Sequence, residues 1–205
     1  MQDNRVTVLV GYSGHGYVVC DAALQSGQQV NSYCDVSQVQ IDPFKLLYLG
    51  SERGQEFDWN VDQDYILGIG DNRIRTRVGD FILSKGGELK VVRHPNSIVS
   101  QSCILGQGTF INAGAIINAL AIIGDMCIIN SGAIVEHECV LAKGVHIAPG
   151  TVLAGNVTVG ESTFIGANSV VRQGIKIGSN CTIGAGSVVV KDVPDNSVIY
   201  GNPAK

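Results

Sequence analysis

The sequence predicts an α/β + β chain: a small parallel α/β domain over residues 1–95, followed by a parallel β-helix over residues 96–205. Three observations carry this. From Val99 to Val189, every sixth residue is Val, Leu or Ile, sixteen positions without an exception. A second row four residues further on is mostly small: Cys103, Thr109, Ala115, Ala121, Cys127 and so on to Ser187. The first ninety-odd residues lack this period and instead alternate strand-like and helix-like segments.

The elements follow in order. Val6, Val8 and Val10 are β-branched and mark a first buried strand, ended by the turn Gly11, Gly14, Gly16. A helix is expected from about His15 to Gln25, stopped by Gly27. QQVNSYCDV is read as a second strand, DYILGIG (64–70) as a third, Asp71 to Lys85 as a second helix, and ELKVVRHP as a fourth strand. Sheets of this Rossmann-like kind bind ligands at the carboxyl ends of their strands. The glycine turn would also present backbone N–H groups at a helix start, where an anion can sit.

In the second half, a hexad repeat means one short strand and one corner per hexad, and three hexads per coil. Sixteen hexads make slightly more than five coils, a prism of roughly 25 Å at the usual strand spacing. The large aliphatic fills the interior and the small residue fits beside it. Cys103, Cys127, Cys139 and Cys181 fall on that small row, so they are read as core residues and Cys139 is not read as a nucleophile. Residues directly after the aliphatic, such as Gly106, Asn112, Asn118 and Gly124, are expected to take left-handed backbone at the corners.

Composition narrows the function classes. Charged residues are 16%, the net charge is -4 and no basic cluster stands out, which argues against nucleic acid as a partner. No apolar run approaches the ~18 residues that cross a bilayer, and the first, Val6 to Val10, is too short for a signal peptide. The six cysteines contain no C-x-x-C pair, so zinc is poorly supported. The expectation is a cytoplasmic protein without membrane contact, with reduced, buried thiols and no metal.

Against that apolar background, GAIVEHECVLAKGVHIAPG holds Glu136, His137, Glu138 and His146. In register, His137 falls two residues after interior Val135, near a corner, and His146 directly precedes interior Ile147. Neither occupies the large interior row. They are nine residues apart, half of an 18-residue coil, so on one chain they need not face each other. A bland alternative is a solvated corner with incidental charges. His94, in RHPNS, is assigned no role.

The ordered set GYSGHG, ILGIGDNRIR, INSGAIVEHECV, VHIAPG, LAGNVTVG and YGNPAK resembles the bacterial nucleotide-sugar acetyltransferases of the hexapeptide-repeat acyltransferases, including their sialic acid O-acetyltransferase-like members. The resemblance covers essentially the whole chain. It implies a left-handed β-helix, a homotrimer with acetyl-CoA in the groove between neighbouring prisms, and acetyl transfer to the amino group of a nucleotide-linked, UDP by expectation, 4-amino-4,6-dideoxy sugar. By the same likeness His137 matches the general base and Glu138 the carboxylate that orients it. Asn130, His146, Gly155, Ala167 and Ala185 match residues that contact acetyl-CoA. Ser13, Gly14, His15, Asp35, Gly70 and Asn72 match nucleotide-sugar contacts. One departure concerns the acidic pair after the second strand, which is here Asp35-Val36.

Other functions stay open at this stage. O-acetylation of a sialic acid or another sugar hydroxyl would suit a His–Glu pair equally well. A non-catalytic nucleotide-sugar binding protein would need the base or the CoA groove to be broken. A metal-dependent carbonic anhydrase on the same prism would want three histidines around zinc; the repeat domain has two.

Overall fold

The computed structural model describes residues 6–54, 57 and 63–205. Its first part is a parallel sheet made of β1 (Val6–Val10), β2 (Val30–Cys34), β3 (Leu47–Tyr48), β4 (Gln63–Leu67) and β5 (Glu88–Leu89), in the order β3-β2-β1-β4-β5. Helix α1 (Gly14–Gln25) follows β1, and α2 (Asn72–Ser84) follows β4. Helix bounds match the expectation within a residue, because Ser13 and Asp71 start them; the Asp71 carboxylate accepts the Ile74 N–H at 2.8 Å. The third strand stops at Leu67, so Gly68, Ile69 and Gly70 lie beyond the sheet edge rather than in it.

Chain order reverses between β1 and its neighbours β2 and β4, which opens a crevice above the carboxyl end of β1. The backbone there is crowded. A Cβ on Gly68 would lie 2.8 Å from the Gly16 Cα, and Cβ atoms on Gly16 or Gly68 would both collide with the Gly11 carbonyl oxygen. These glycines are present because β1, α1 and β4 meet backbone to backbone. Gly16→Ala is therefore expected to cost about 1–3 kcal/mol. Gly14→Ala, where a Cβ meets nothing within 4 Å, serves as the control in the same denaturant titration. Equal stability of the two variants would refute the crowding.

Strand β3 was not legible in the sequence. It has two residues and follows a loop pinned by tyrosine side chains rather than by backbone pattern. Tyr12 donates its O–H to Asp42 at 2.6 Å, Tyr17 to the Ile41 carbonyl, and the Val39 N–H donates to the Tyr33 hydroxyl. The rings of Tyr12 and Tyr33 pack with centroids 4.5 Å apart.

The second part is a left-handed parallel β-helix of two-residue strands, β6 (Val92–Arg93) to β23 (Val198–Ile199). They stack at 18-residue steps, Ile116 on Ile134 and Ile134 on Val152, into three faces of 6, 5 and 7 strands. The segment read as a fourth strand, ELKVVRHP, divides: β5 closes the α/β sheet while β6 pairs with β9 (Phe110–Ile111) and opens the prism.

The aliphatic row points inward. Ile111, Ile129, Val135, Ile147, Ile165 and Ile183 are fully buried and belong to one continuous core. The small row carries its own hydrogen-bond ladder. The Thr151 hydroxyl donates to the Gly166 carbonyl, Thr163 to Gly178 and Ser169 to Gly184, while the thiols of Cys127 and Cys139 reach the carbonyls of Ala142 and Ala154. Each of these links spans 15 residues, so these side chains find their acceptors on the coil above; toward the far end the rule lapses, where Ser187 donates to Gly184 and the Cys181 thiol reaches Pro194. Burial also pushes the Cys127 thiol up to about 12, away from thiolate chemistry. Cys103 is only half-buried because it lies near the open end of the prism.

One expectation is corrected. From Gly108 to Gly186 the left-handed residue of each corner is the third after the aliphatic, not the first: Gly114, Leu120, Met126, Gly132 and Glu138, for example, have φ between 56° and 69°. Gly106 and Gly124 are glycine for a different reason. A Cβ on Gly124 would meet the Ala142 carbonyl carbon at 2.8 Å, and one on Gly106 would strike Gly124 and Asp125. Close approach of successive coils, rather than φ, selects glycine there.

Candidate active site

The α/β domain covers the seven-strand face of the prism. Val92, Phe110 and Ile128 point outward from that face and are buried in one cluster with Leu9, Val19 and Ala23 of the first domain. Beyond this contact, the face opens into a cleft of about 610 Å³ lined by His15, Gly70, Asn72, His146 and Phe164 among others. A second pocket of about 410 Å³ lies at the carboxyl edge of the sheet, lined by Ser13, Asp35, Val36, Glu52, Gly70 and Arg77 among others. Gly70 and Asp71 border both, so the two spaces are continuous around one loop.

His146 sits on β15 (His146–Ile147), stacked between Ile128 and Phe164 of the adjacent coils. Its ring meets Phe164 edge-on at 5.1 Å and faces His15 at 6.3 Å. The Asn130 amide donates to its Nε2 at 3.3 Å, and the Asn130 carbonyl oxygen is held by the Ser131 N–H and the Asn112 amide. That leaves Nδ1 as the protonated nitrogen, and the backbone of Gly70, which lines the same cleft, favours protonation of the ring. Burial, then the nearby Arg75 charge, hold His146 down to about 3; the same two causes hold His15 down to about 4. Both imidazoles are neutral at physiological pH. His15 Nε2 is buried without a hydrogen-bond partner, beside the cleft.

His137 lies elsewhere. It occupies the corner between β13 (Ile134–Val135) and β14 (Val140–Leu141), its side chain 53% exposed. Nδ1 is 3.0 Å from Glu138 Oε2. Glu138 holds φ of 59°, a left-handed conformation that glycine occupies at many other corners and that costs a carboxylate residue about 1–2 kcal/mol. The strain places the carboxylate beside the imidazole. One coil further on, a Cβ on Gly155 would lie 2.5 Å from His137 Nε2, so the ring rests directly on that glycine. Glu136 is not part of this pair; it accepts from the Asn118 amide at 2.9 Å.

The residues singled out in the sequence thus fall into groups. His15, Gly70, Asn72 and His146, with Asn130 adjoining, meet in the cleft; Ser13 and Asp35 meet in the sheet-edge pocket. Gly14 borders open space. His137, Glu138 and Gly155 share one prism corner, while Ala167 and Ala185 stack on another, where Gly186 N–H donates to the Ala167 carbonyl. One chain does not bring His137 to the cleft. Both Asp35 oxygens already accept backbone N–H groups, of Tyr12 at 2.7 Å and Val36 at 2.6 Å. Val36, in place of a second acid, is exposed at the pocket rim.

Sequence reasoning missed Phe164, Arg73 and Ser162 in the cleft, and Glu52 with Arg77 in the pocket. Phe164 had a usable signal, being 18 residues beyond His146 and therefore directly above it. His94 has a local structural bond, its Nδ1 accepting the Asn96 N–H at 3.0 Å. Among the described residues, no three His, Cys, Asp or Glu side chains cluster to hold a metal, and no helix is long and apolar enough to cross a membrane.

Comparison with known proteins agrees with this architecture. The profile described as the PglD N-terminal domain matches residues 7–80, and that of the bacterial transferase hexapeptide (six repeats) matches residues 156–191. The acetyltransferase domain of PglB from Neisseria gonorrhoeae, solved with acetyl coenzyme A, is 36% identical, with 98% of each chain covered and a TM-score of 0.93. PerB from Caulobacter crescentus, solved with CoA and GDP-perosamine, is 36% identical over 97% of this chain and 95% of that one, with a TM-score of 0.88. WeeI from Acinetobacter baumannii shares the fold at 21% identity and a TM-score of 0.85, over 98% of both chains. No curated protein sequence gives a significant match. End-to-end likeness at this identity places the chain among the hexapeptide-repeat sugar N-acetyltransferases that carry a PglD-type N-terminal domain.

Proposed function

We propose that this enzyme transfers the acetyl group of acetyl-CoA to the amino group of a nucleotide-linked 4-amino-4,6-dideoxy sugar. The observation that carries this is the His137–Glu138 pair resting on Gly155, in a chain that superposes end to end on relatives solved with acetyl-CoA or with CoA and GDP-perosamine. UDP follows from the sequence resemblance. The Caulobacter relative binds a GDP-linked sugar, so the base is what the assay must decide.

In the proposed reaction, the neutral amine attacks the thioester carbonyl and forms the C–N bond. His137 Nε2 takes the amine proton, because Nδ1–H is committed to Glu138 Oε2 at 3.0 Å. The carboxylate fixes that tautomer and stabilises the imidazolium. The Gly155 N–H meets the tetrahedral oxyanion. The C–S bond then breaks and CoA leaves as the thiolate, which the His137 proton neutralises. The nucleotide sugar spans the two continuous spaces, with Ser13 and Asp35 in the sheet-edge pocket, His15, Gly70 and Asn72 in the cleft, and Gly14 at the helix start between them. Asn130, His146, Ala167 and Ala185 contact acetyl-CoA.

His137 faces away from its own cleft, so the site requires a neighbouring chain, and a homotrimer supplies one. Support comes from the prism face that ends at the His137 corner. Its outward residues are aliphatic in every coil, and Ile98 is 65% and Val170 43% exposed. An uncovered stripe of that kind is an association surface. The reaction belongs in the cytoplasm, where acetyl-CoA and nucleotide sugars are made, and its product would enter a surface polysaccharide or a glycoprotein glycan.

The test is CoA thiol release from acetyl-CoA with UDP-, dTDP- and GDP-linked 4-amino-4,6-dideoxy sugars and free sialic acid, alongside sedimentation of the enzyme. Release with one amino sugar, by a species of three chains, is expected. Release with sialic acid alone would replace N-acetylation by O-acetylation, and silence across the panel would refute the reading.

A further inference from the structure

Arg75 is 1% exposed, yet it makes no ion pair within 4.0 Å among the described residues. A buried cation normally keeps a carboxylate partner, since leaving water uncompensated is costly. Here five acceptors, four of them backbone carbonyls, take that place. Nε donates to the Met126 carbonyl at 2.8 Å, Nη1 to Ile69 at 3.2 Å and Gly70 at 3.0 Å, and Nη2 to Gly144 at 3.0 Å and to the Asn72 side-chain oxygen at 2.9 Å. The planar fork is thus spent in full, which an ammonium with three donors cannot imitate.

The acceptors come from two places. Ile69 and Gly70 belong to the loop after β4 that borders both pockets. Met126 and Gly144 are left-handed corners of successive coils along one prism edge, with φ of 56° and 71°. Asn72 adds the next corner on that edge, donating its amide to the Ser162 carbonyl at 3.0 Å. Gly144 is two residues before His146, and Ser162 two before Phe164. The other end of the arrangement is Gly70, whose backbone lines the cleft beside His146 and acts on its ring.

We infer that Arg75 is a positioning residue for acetyl transfer: by tying Ile69 and Gly70 to the prism edge at Met126 and Gly144, it holds the Gly70 carbonyl against His146. This fixes the His146 ring in its Nδ1–H form, with Nε2 turned to Asn130 and the cleft. The catalytic part of the inference rests on the acetyltransfer reading above; the tautomer does not. A guanidinium bridging loop and prism does what a hydrophobic contact cannot, because it sets the direction of a carbonyl as well as its distance.

The experiment uses full-length enzyme labelled with ¹⁵N-histidine, in wild type, Arg75→Lys and Arg75→Gln, with folding of each confirmed by circular dichroism. Long-range ¹H–¹⁵N spectra read the His146 tautomer, assigned through His146→Asn, and CoA release reads kcat and KM. Wild type should show a single Nδ1–H form. Arg75→Lys, which keeps the charge but not the fork, should show mixed tautomers and a kcat lower by roughly 10- to 100-fold, with a smaller change in the KM for nucleotide sugar. An Nε2–H form in wild type overturns the inference even if neither variant folds. So does a folded variant that retains the wild-type tautomer and kcat. Absence of CoA release by wild type itself would instead remove the acetyltransfer reading, while the spectra still decide the tautomer.

Discussion

Replacing His137 by alanine is expected to lower kcat by about 10² to 10⁴, the range for loss of a general base. The ring is outside both pockets of its own chain and 53% exposed, so neither domain needs it to fold. The nucleotide-sugar KM should therefore move little. Glu138→Gln should fall less far, because a side-chain carbonyl still accepts the Nδ1–H but no longer stabilises the imidazolium. In the Caulobacter perosamine N-acetyltransferase, variants in which one histidine became Asn or Ala were solved with CoA and GDP-perosamine still bound. Ligand binding in that relative thus survives loss of that histidine. Turnover near the wild-type level in His137→Ala would remove the residue from the mechanism.

Acid should weaken the fold over a defined window. His15 and His146 titrate at about 4 and about 3 when folded, lowered first by burial and then by Arg75. An unfolded chain titrates near pH 6.5. Below that value the unfolded state binds protons that the native state refuses, so stability falls with falling pH. The loss begins near pH 6.5 and is complete when each folded histidine finally protonates, near pH 4 for His15 and pH 3 for His146. The two together contribute on the order of a few kcal/mol. Apparent Tm at fixed protein concentration, compared between pH 7.5 and 5.0, should drop in wild type and drop less in the double variant His15→Asn, His146→Asn. An equal drop in both would show that the acid sensitivity comes from other groups.

The prism was legible because its rule is strictly periodic. A residue facing inward every six positions leaves a trace that no local accident disturbs, and Val99 to Val189 record it without a gap. The first domain was legible where glycine and β-branched residues punctuate the chain, from Val6 to Gly27 and again from Asp64 to Lys85. It was not legible at β3, where two residues are held by a distant tyrosine cluster. The corner rule was misplaced by two residues because both glycine populations repeat every six residues. Period alone cannot tell a glycine needed for left-handed φ from one needed to let the next coil approach.

The site divides along the same line. Residue types and spacing by themselves pointed to His137, Glu138 and His146, since charged groups on an apolar hexad background stand out. The sequence by itself determined the coils and their interior, because those depend on contacts that recur at fixed separations; the candidate chemistry came with the family resemblance. Only the tertiary structure decided that His146 faces His15 across the domain boundary, that His137 does not, and that Arg75 joins the loop after β4 to three prism corners with Asn72. Those relations depend on where one domain docks on the face of another, and the residues they join, such as Gly70 and Gly144, are 74 positions apart with no period linking them.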